Sequence, residues 1–274
     1  MFLYFSNKIY DLFILISSYL LKTGGHIPKK IAIIMDGNRR FAEKKHMKKI
    51  DGHKNGSETL LNLVQWSKKF SVQEITAFAF SIDNFKRSNE EKDSLLNLFK
   101  EYFYKFCESN EAKSLGIKIC IYGNRNFFDE EIKNIFKKIE EKTKNNNLIK
   151  LNVCIGYNSN EEIYLAKKLC KNIEKNMNDI NFLKNKFESN LYGGYNCNPD
   201  LLIRTSGETR LSNFLLYQCR FSVIIFIDKF WPELTFLDYF KILLKYNYNY
   251  VEHQKKMFYL EKENNFKIID NNII

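Results

Sequence analysis

The segment RTSGETRLS at 204–212 places Arg204 and Arg210 among several hydroxyl side chains, directly after the apolar run Leu201, Leu202, Ile203. A guanidinium is planar, permanently charged and matched to phosphate oxygens, so a buried strand that exits into such a segment is suited to clamping a diphosphate. A second apolar run ends in the same way. IAIIMDGNRRFA at 31–42 delivers one carboxylate, Asp36, then Gly37, Asn38 and the adjacent Arg39 and Arg40. Gly37 lets backbone come close to a ligand, and a helix starting near Arg40 would aim free amides at it. Asp36 repels a naked phosphate and makes sense there through Mg2+, an oxygen-seeking cation commonly shared between one or two carboxylates and substrate phosphate. Two anionic substrates and a metal are the expected chemistry.

A third apolar run, 75–80, is followed by Ser81, Asp83, Asn84 and Arg87. In an open parallel sheet, ligands bind outside the carboxyl ends of the strands, so one edge would gather five arginines around Asp36. Taken alone, Asp36 and Gly37 would equally form a capped turn; the arginines after the other strands favour the ligand site. His53 is a candidate for binding phosphate or moving a proton, with a buried structural role as the alternative. Walker A, GxGxxG after a strand, HExxH and zinc-finger spacings are all absent, which disfavours nucleotide hydrolysis, dinucleotide binding and zinc chemistry.

The elements that must position these residues are legible as six short apolar runs, at 31–35, 75–80, 117–122, 151–155, 201–203 and 223–227. They are nearly continuous rather than alternating, as strands buried on both faces are, and the intervals between them admit crossover helices. The expectation is an α/β fold with one domain, a central six-stranded, mostly parallel sheet flanked by helices. Ser88 with Glu91 and Ser159 with Glu162 read as capping boxes at two helix starts. From Ser88 onward Leu95, Phe99, Tyr102 and Phe106 form an apolar stripe at helical spacing. Residues 145–147 read as a loop.

A chain of 274 residues with 45% hydrophobic content can bury an ordinary core, and its net charge of +11 favours an anionic partner. Much of the lysine lies in mixed-sign stretches such as 133–144, where a solvated helix face accounts for it. Nucleic acid is suggested by charge alone and leaves Asp36 unexplained. Cys107, Cys120, Cys154, Cys170, Cys197 and Cys219 are scattered without CxxC pairs, which points to free thiols and no structural zinc. Residues 1–25 are apolar, but the uninterrupted stretch 12–21 is short of the roughly 20 residues that span a bilayer. An interfacial or groove-covering helix is expected there, then a catalytic domain over 26–260 and a flexible tail over 261–274.

With FAFSIDNFKRS at 78–88 and WPE at 231–233 added to DGNRR and RTSGETRLS, the chain resembles the cis-prenyltransferases. The motifs run in family order from Ile31 to about Tyr250. The paired arginines, FSIDNFKRS and RTSGE resemble the eukaryotic dehydrodolichyl diphosphate synthase branch more than the bacterial undecaprenyl synthases. The resemblance implies elongation of an allylic primer, farnesyl or geranylgeranyl diphosphate, by cis additions of isopentenyl diphosphate with Mg2+. It implies that Asp36 handles metal and diphosphate, and that Gly37, Asn38, Arg39, Arg40 and His53 hold the allylic diphosphate. Lys49 stands where bacterial relatives usually carry arginine. Arg204, Arg210 and Ser212 would hold isopentenyl diphosphate, with Ser81, Asn84, Phe85 and Arg87 at the junction and Asn84 orienting the reactants. A product tunnel is implied, and the stripe beginning at Leu95 is placed to line it. The trans-type DDxxD motif is absent.

Two departures from the family pattern stand out. Val223 occupies the place of a glutamate metal ligand near the start of the last strand, and no Arg-x-Gly element follows. The eukaryotic catalytic subunit shares both gaps and is completed by a Nogo-B receptor-type subunit. A hetero-oligomer, weakly active alone, is therefore expected, in peripheral contact with the cytosolic face of the endoplasmic reticulum membrane. A catalytically silent accessory subunit is the alternative; such subunits lose the Asp and Arg motifs that this chain keeps.

Overall fold

The computed structural model describes residues 2–108, 115–170 and 180–267. Its centre is a six-stranded sheet in the order β3-β4-β2-β1-β5-β6, formed by β1 (Lys30–Ile34), β2 (Glu74–Ser81), β3 (Ile117–Tyr122), β4 (Ile149–Tyr157), β5 (Leu201–Arg204) and β6 (Val223–Phe226). Every pairing is parallel. Each of the six apolar runs is a strand. The physical reason is visible in β1, where Ile31 and Ile33 enter one core while Ala32 and Ile34 enter a second on the opposite face.

The thicker layer packs α3 (Lys49–Lys69), α4 (Asn89–Glu108), α5 (Glu130–Thr143) and α8 (Phe236–Lys267) on the first face. The other face is covered by the connection that carries Tyr192, Phe214 and Cys219, which α6 (Ser159–Cys170) and α7 (Ile180–Ser189) hold through Glu162 and Glu188. The short α2 (Asn38–Lys44) sits between β1 and α3. The five described cysteines are free. Helix α8 continues to Lys267, past the expected domain end at 260.

One predicted capping box dissolves on folding. The α6 start is capped by Asn158, whose Oδ1 accepts from Asn160 N at 2.9 Å, while Ser159 Oγ accepts from Leu216 N at 3.0 Å. Glu162 is 2% exposed and binds Tyr157 Oη, Gln218 Nε2 and Tyr192 N. Burial holds its carboxyl above the usual range, while the hydrogen bonds it accepts oppose that rise. Tertiary partners therefore outbid the local cap. The box at Ser88 is half formed: Ser88 Oγ accepts from Glu91 N at 3.4 Å, but the Glu91 carboxylate turns to two arginines.

Helix α1 (Phe2–Gly24) lies across α3 and α8. Ile14, Ser17, Ser18 and Leu21 face inward, Ser18 Oγ donates to Lys69 O at 2.5 Å, and Phe13 meets Phe236 and Phe240 edge-on. Its outer face exposes Leu12, Leu15, Ile16, Tyr19 and Leu20, a stripe at helical spacing. Among the described residues, no helix is long and apolar enough to cross a membrane.

Helix α3 can approach Asn38 closely because two positions one turn apart, Gly52 and Gly56, lack side chains. A Cβ on Gly52 would lie 2.2 Å from Asn38 O, and one on Gly56 would lie 2.2 Å from Asn38 Oδ1. Gly52→Ala forces α2 and α3 apart at a backbone contact and is expected to destabilise by ~1–3 kcal/mol. Thermal unfolding should read this as a fall in Tm of several degrees.

Candidate active site

Strands β1 and β5 are neighbours, yet the chain leaves β1 toward β2 and leaves β5 toward β6. A crevice opens where such connections diverge. Asp36 and Arg204 meet there. Arg204 Nη2 donates to Asp36 Oδ2 at 2.8 Å, and its Nη1 donates to Ser212 Oγ at 2.9 Å and to the Arg210 carbonyl. The Arg204 side chain is 4% exposed, so this cation is held out of water by its partners. Its Nε has none. The Asp36 backbone is fixed as well: its N–H donates to Thr205 Oγ1 at 2.9 Å, and its carbonyl accepts from Thr205 Oγ1 at 2.7 Å and from Trp231 N at 2.9 Å. The WPE segment thus buttresses the carboxylate, and the Trp231 indole donates to Gly56 O at 2.7 Å.

Burial opposes ionisation of Asp36, but the Arg204 hydrogen bond and the charges of Arg204 and Arg40 outweigh it and hold the carboxyl below the usual range. Gly37 has φ 101°, and a Cβ there would lie 2.7 Å from Ser206 Oγ. Asn38, Arg39 and Arg40 form the first turn of α2, and Ser206 and Ser212 also have positive φ, 83° and 51°. Such backbone is held only where its surroundings enforce it.

The remaining arginines are paired through carboxylates. Glu91 Oε1 accepts from Arg87 at 2.6 Å and from Arg39 at 3.4 Å. Glu208 binds Arg40 at 3.1 Å and also Arg210, and Arg40 reaches Asp36 at 3.3 Å. Arg40, Arg204 and Arg210 with Asp36 and Glu208 form one ion-paired network, Arg39 and Arg87 with Glu91 form a second beside it, and the lattice made by the two carries an excess of positive charge. Neither Glu91 nor Glu208 carries a signal of this role in the sequence. Glu91 reads there as a cap residue, and nothing in the spacing of RTSGE shows what Glu208 bridges.

The lattice rims a cleft of about 1010 Å3. Its polar mouth includes Asp36, Gly37, Asn38, Arg39, Arg40, His53, Ser81, Asn84, Arg87, Arg204, Arg210 and Ser212. Its depth is apolar, lined by Leu60, Phe80, Leu95, Phe99, Tyr102 and Leu151 among others. The stripe on α4 therefore faces the cleft; the Phe106 side chain lies outside the described residues. None of the described α1 side chains lines this cleft.

Three residues sit differently from expectation. Lys49 is exposed at the first turn of α3 and does not line the cleft. Phe85 packs against Phe80, Phe127 and Phe128 beneath the turn formed by Ile82–Lys86. Val223 enters β6 beside Leu201, whereas Arg204 pairs with Phe226 three residues onward. That separation is ~10 Å along the strand. No residue at position 223 could join Asp36 of the same chain at a metal, so valine there leaves no gap in this chain's own ligand set.

Asn84 is committed in part. Its Oδ1 accepts from Ser81 N at 2.8 Å, while the Ser81 hydroxyl accepts from the Asn84 N–H in return. This reciprocal cap fixes the turn that carries Arg87 and leaves the Asn84 Nδ2 for a ligand.

For a metal, the residues present offer Asp36, held ionised at the cleft mouth. No group of three or more His, Cys, Asp or Glu capable of enclosing a cation occurs among the described residues. This donor set fits Mg2+ shared with substrate oxygens rather than an all-protein cage.

Residues 34–254 match the family described as putative undecaprenyl diphosphate synthase. The chain is 36% identical over 234 residues to the human dehydrodolichyl diphosphate synthase complex subunit, covering 84% of this chain and 70% of that protein. It is 34% identical to a tritrans,polycis-undecaprenyl-diphosphate synthase, geranylgeranyl-diphosphate specific, from Thermococcus kodakarensis, covering 88% of this chain and 91% of that one. Among solved structures, lavandulyl diphosphate synthase from Lavandula x intermedia, in complex with dimethylallyl diphosphate, superposes with a TM-score of 0.72 at 25% identity. The match covers 81% of this chain and 95% of that one.

His53 faces the lattice from α3 with Nε2 buried and unpartnered. Burial lowers its pKa first, and the charges of Arg87 and Arg39 lower it further, to about 4, while Glu91 opposes. The unfolded chain protonates this imidazole near its ordinary value of 6.5. The unfolded state therefore binds more protons between those values, and stability falls as pH drops from about 6.5 toward 4, by up to ~3 kcal/mol. Urea unfolding over that window should show the loss, and His53→Asn should flatten it. An imidazole NMR signal that titrates near 6.5 in the ligand-free protein and is absent from His53→Asn would contradict the assignment.

Proposed function

Because the chain belongs to the undecaprenyl diphosphate synthase family of cis-prenyltransferases, we propose that it makes a dehydrodolichyl-type polyprenyl diphosphate from a farnesyl or geranylgeranyl diphosphate primer. The observation that carries this reading is the arginine lattice around Asp36 at the mouth of a cleft with an apolar depth. It supplies places for two diphosphates and, below them, for a growing isoprenoid chain.

In this reading Arg39, Arg40, His53 and the first turn of α2 hold the allylic diphosphate, and Arg204, Arg210 and Ser212 hold isopentenyl diphosphate. Mg2+, held by Asp36 together with substrate oxygens, would neutralise charge on the departing diphosphate. The arginines are already aimed before substrate arrives, so little reorganisation is needed as that charge develops. The stacked, capped turn at Ser81–Asn84 sets the approach of the two reacting carbons. The apolar walls formed by Phe80, Leu95 and Phe99 exclude water and accept the lengthening product as a tunnel.

The human relative is described as a complex subunit. We infer that this chain likewise works in a hetero-oligomer, with a Nogo-B receptor-type subunit. The β6 edge, where Val223 enters and Ile224 is 39% exposed, is the surface suited to that contact. The apolar outer face of α1 supports peripheral contact with the cytosolic face of the endoplasmic reticulum membrane.

Asp36→Ala is expected to lower Mg2+-dependent incorporation of labelled isopentenyl diphosphate by ~10²-fold or more. Asp36→Asn, which keeps an acceptor for Arg204, controls for folding. Equal incorporation by Asp36 and either variant would sink the assignment, and chromatography of the products reads primer use and chain length. The double variant Leu15→Glu, Leu20→Glu should reduce sedimentation with phospholipid vesicles at least ~10-fold, since it removes two side chains' worth of apolar burial. Undiminished sedimentation would argue against α1 as the contact.

A further inference from the structure

Glu208 has no part in the assignments above, yet it lies inside the lattice. It follows Gly207, φ 72°, in the loop after β5, and its side chain is 27% exposed at the cleft mouth. Its Oε1 accepts from Arg40 at 3.1 Å and its Oε2 from Arg210. Arg40 belongs to the allylic half of the site and Arg210 to the isopentenyl half, so one carboxylate ties the halves together. Asp36 also spans them, through Arg40 and Arg204, but it is pinned at side chain and backbone. Glu208 is joined only to two arginines whose side chains are 41% and 62% exposed, and so is free to leave.

We propose that Glu208 is a positioning residue that couples the two diphosphate subsites. It stands where substrate anions will act, holding Arg40 and Arg210 toward the cleft. A diphosphate docking on Arg40 displaces Oε1 and repels the remaining carboxylate toward water, which frees Arg210. The second diphosphate then finds its arginine already released. The same holds in the reverse order, because coupling between binding sites is reciprocal. Direct repulsion between the two diphosphates opposes this effect but does not depend on residue 208. Exposed ion pairs are weak, so the coupling due to Glu208 is ~2- to 5-fold.

The inference rests on reading the cleft as a two-diphosphate site, and the test separates the two. Calorimetry on the full chain with Mg2+ measures binding of inorganic diphosphate, and binding of isopentenyl diphosphate with and without a sulfur-bridged, non-ionising analogue of farnesyl diphosphate. Glu208→Gln is expected to tighten inorganic diphosphate ~2- to 5-fold and to lower the coupling factor by a similar ratio. Glu208→Asp keeps the charge but is too short to bridge both arginines, so its coupling factor should fall as well; an effect of net charge alone would leave it at the wild-type value. Wild-type coupling in both variants, or weaker diphosphate binding by Glu208→Gln, overturns the proposal. Arg204→Ala reports on the site itself. If it binds diphosphate as the wild type does, the two-diphosphate reading falls; if it loses binding while the Glu208 variants keep wild-type coupling, only the role of Glu208 falls.

Discussion

The ion pair between Asp36 and Arg204 is the constraint around which the site is built. A guanidinium left 4% exposed cannot stand without a counter-charge, because removing one partner of a buried pair costs on the order of 3–5 kcal/mol. The pair ties the end of β1 to the end of β5, the two strands whose onward connections diverge. Its surroundings follow from that need. Thr205 and the Trp231 amide fix the Asp36 backbone, Ser212 and the Arg210 carbonyl take the other face of Arg204, and Gly56 receives the indole that holds the WPE turn in place.

Around that pair the protein solves an electrostatic problem. Like-charged arginines crowd at one sheet edge, and burial together with the charge of Arg39 lowers the pKa of Arg87, against the pull of Glu91. Glu91 and Glu208 each pair with two of these arginines and keep the cations close together. A site neutralised too well would not bind diphosphate, and one left bare would not stay assembled. Three carboxylates against five arginines leave a net attraction for anions. His53, neutral among these cations, adds a polar contact without adding to the repulsion.

Much of this was legible before folding. Strands buried on both faces need apolar residues on both faces, so all six announced themselves as continuous runs, and DGNRR and RTSGETRLS followed two of them at the edge where ligands bind. What sequence reading misplaced were residues with competing partners. Ser159 and Glu162 have the spacing of a capping box, but Leu216, Tyr157, Gln218 and Tyr192 claim them instead. Lys49 and Phe85 lie within motif range yet turn to solvent and to an aromatic cluster. Val223 looked like a vacancy because its motif neighbours are at the site, while parallel pairing carries it to the far end of the strand.

The sequence by itself determined the sheet, the chemical types gathered at its edge and the family, because apolar periodicity and motif order are local properties of the chain. Only the tertiary structure decided which carboxylate faces which arginine. Glu208 lies 168 residues from Arg40, and Glu91 lies 52 from Arg39. Pairings over such separations depend on side-chain directions that are fixed only once β1, β5, α2 and α4 have packed.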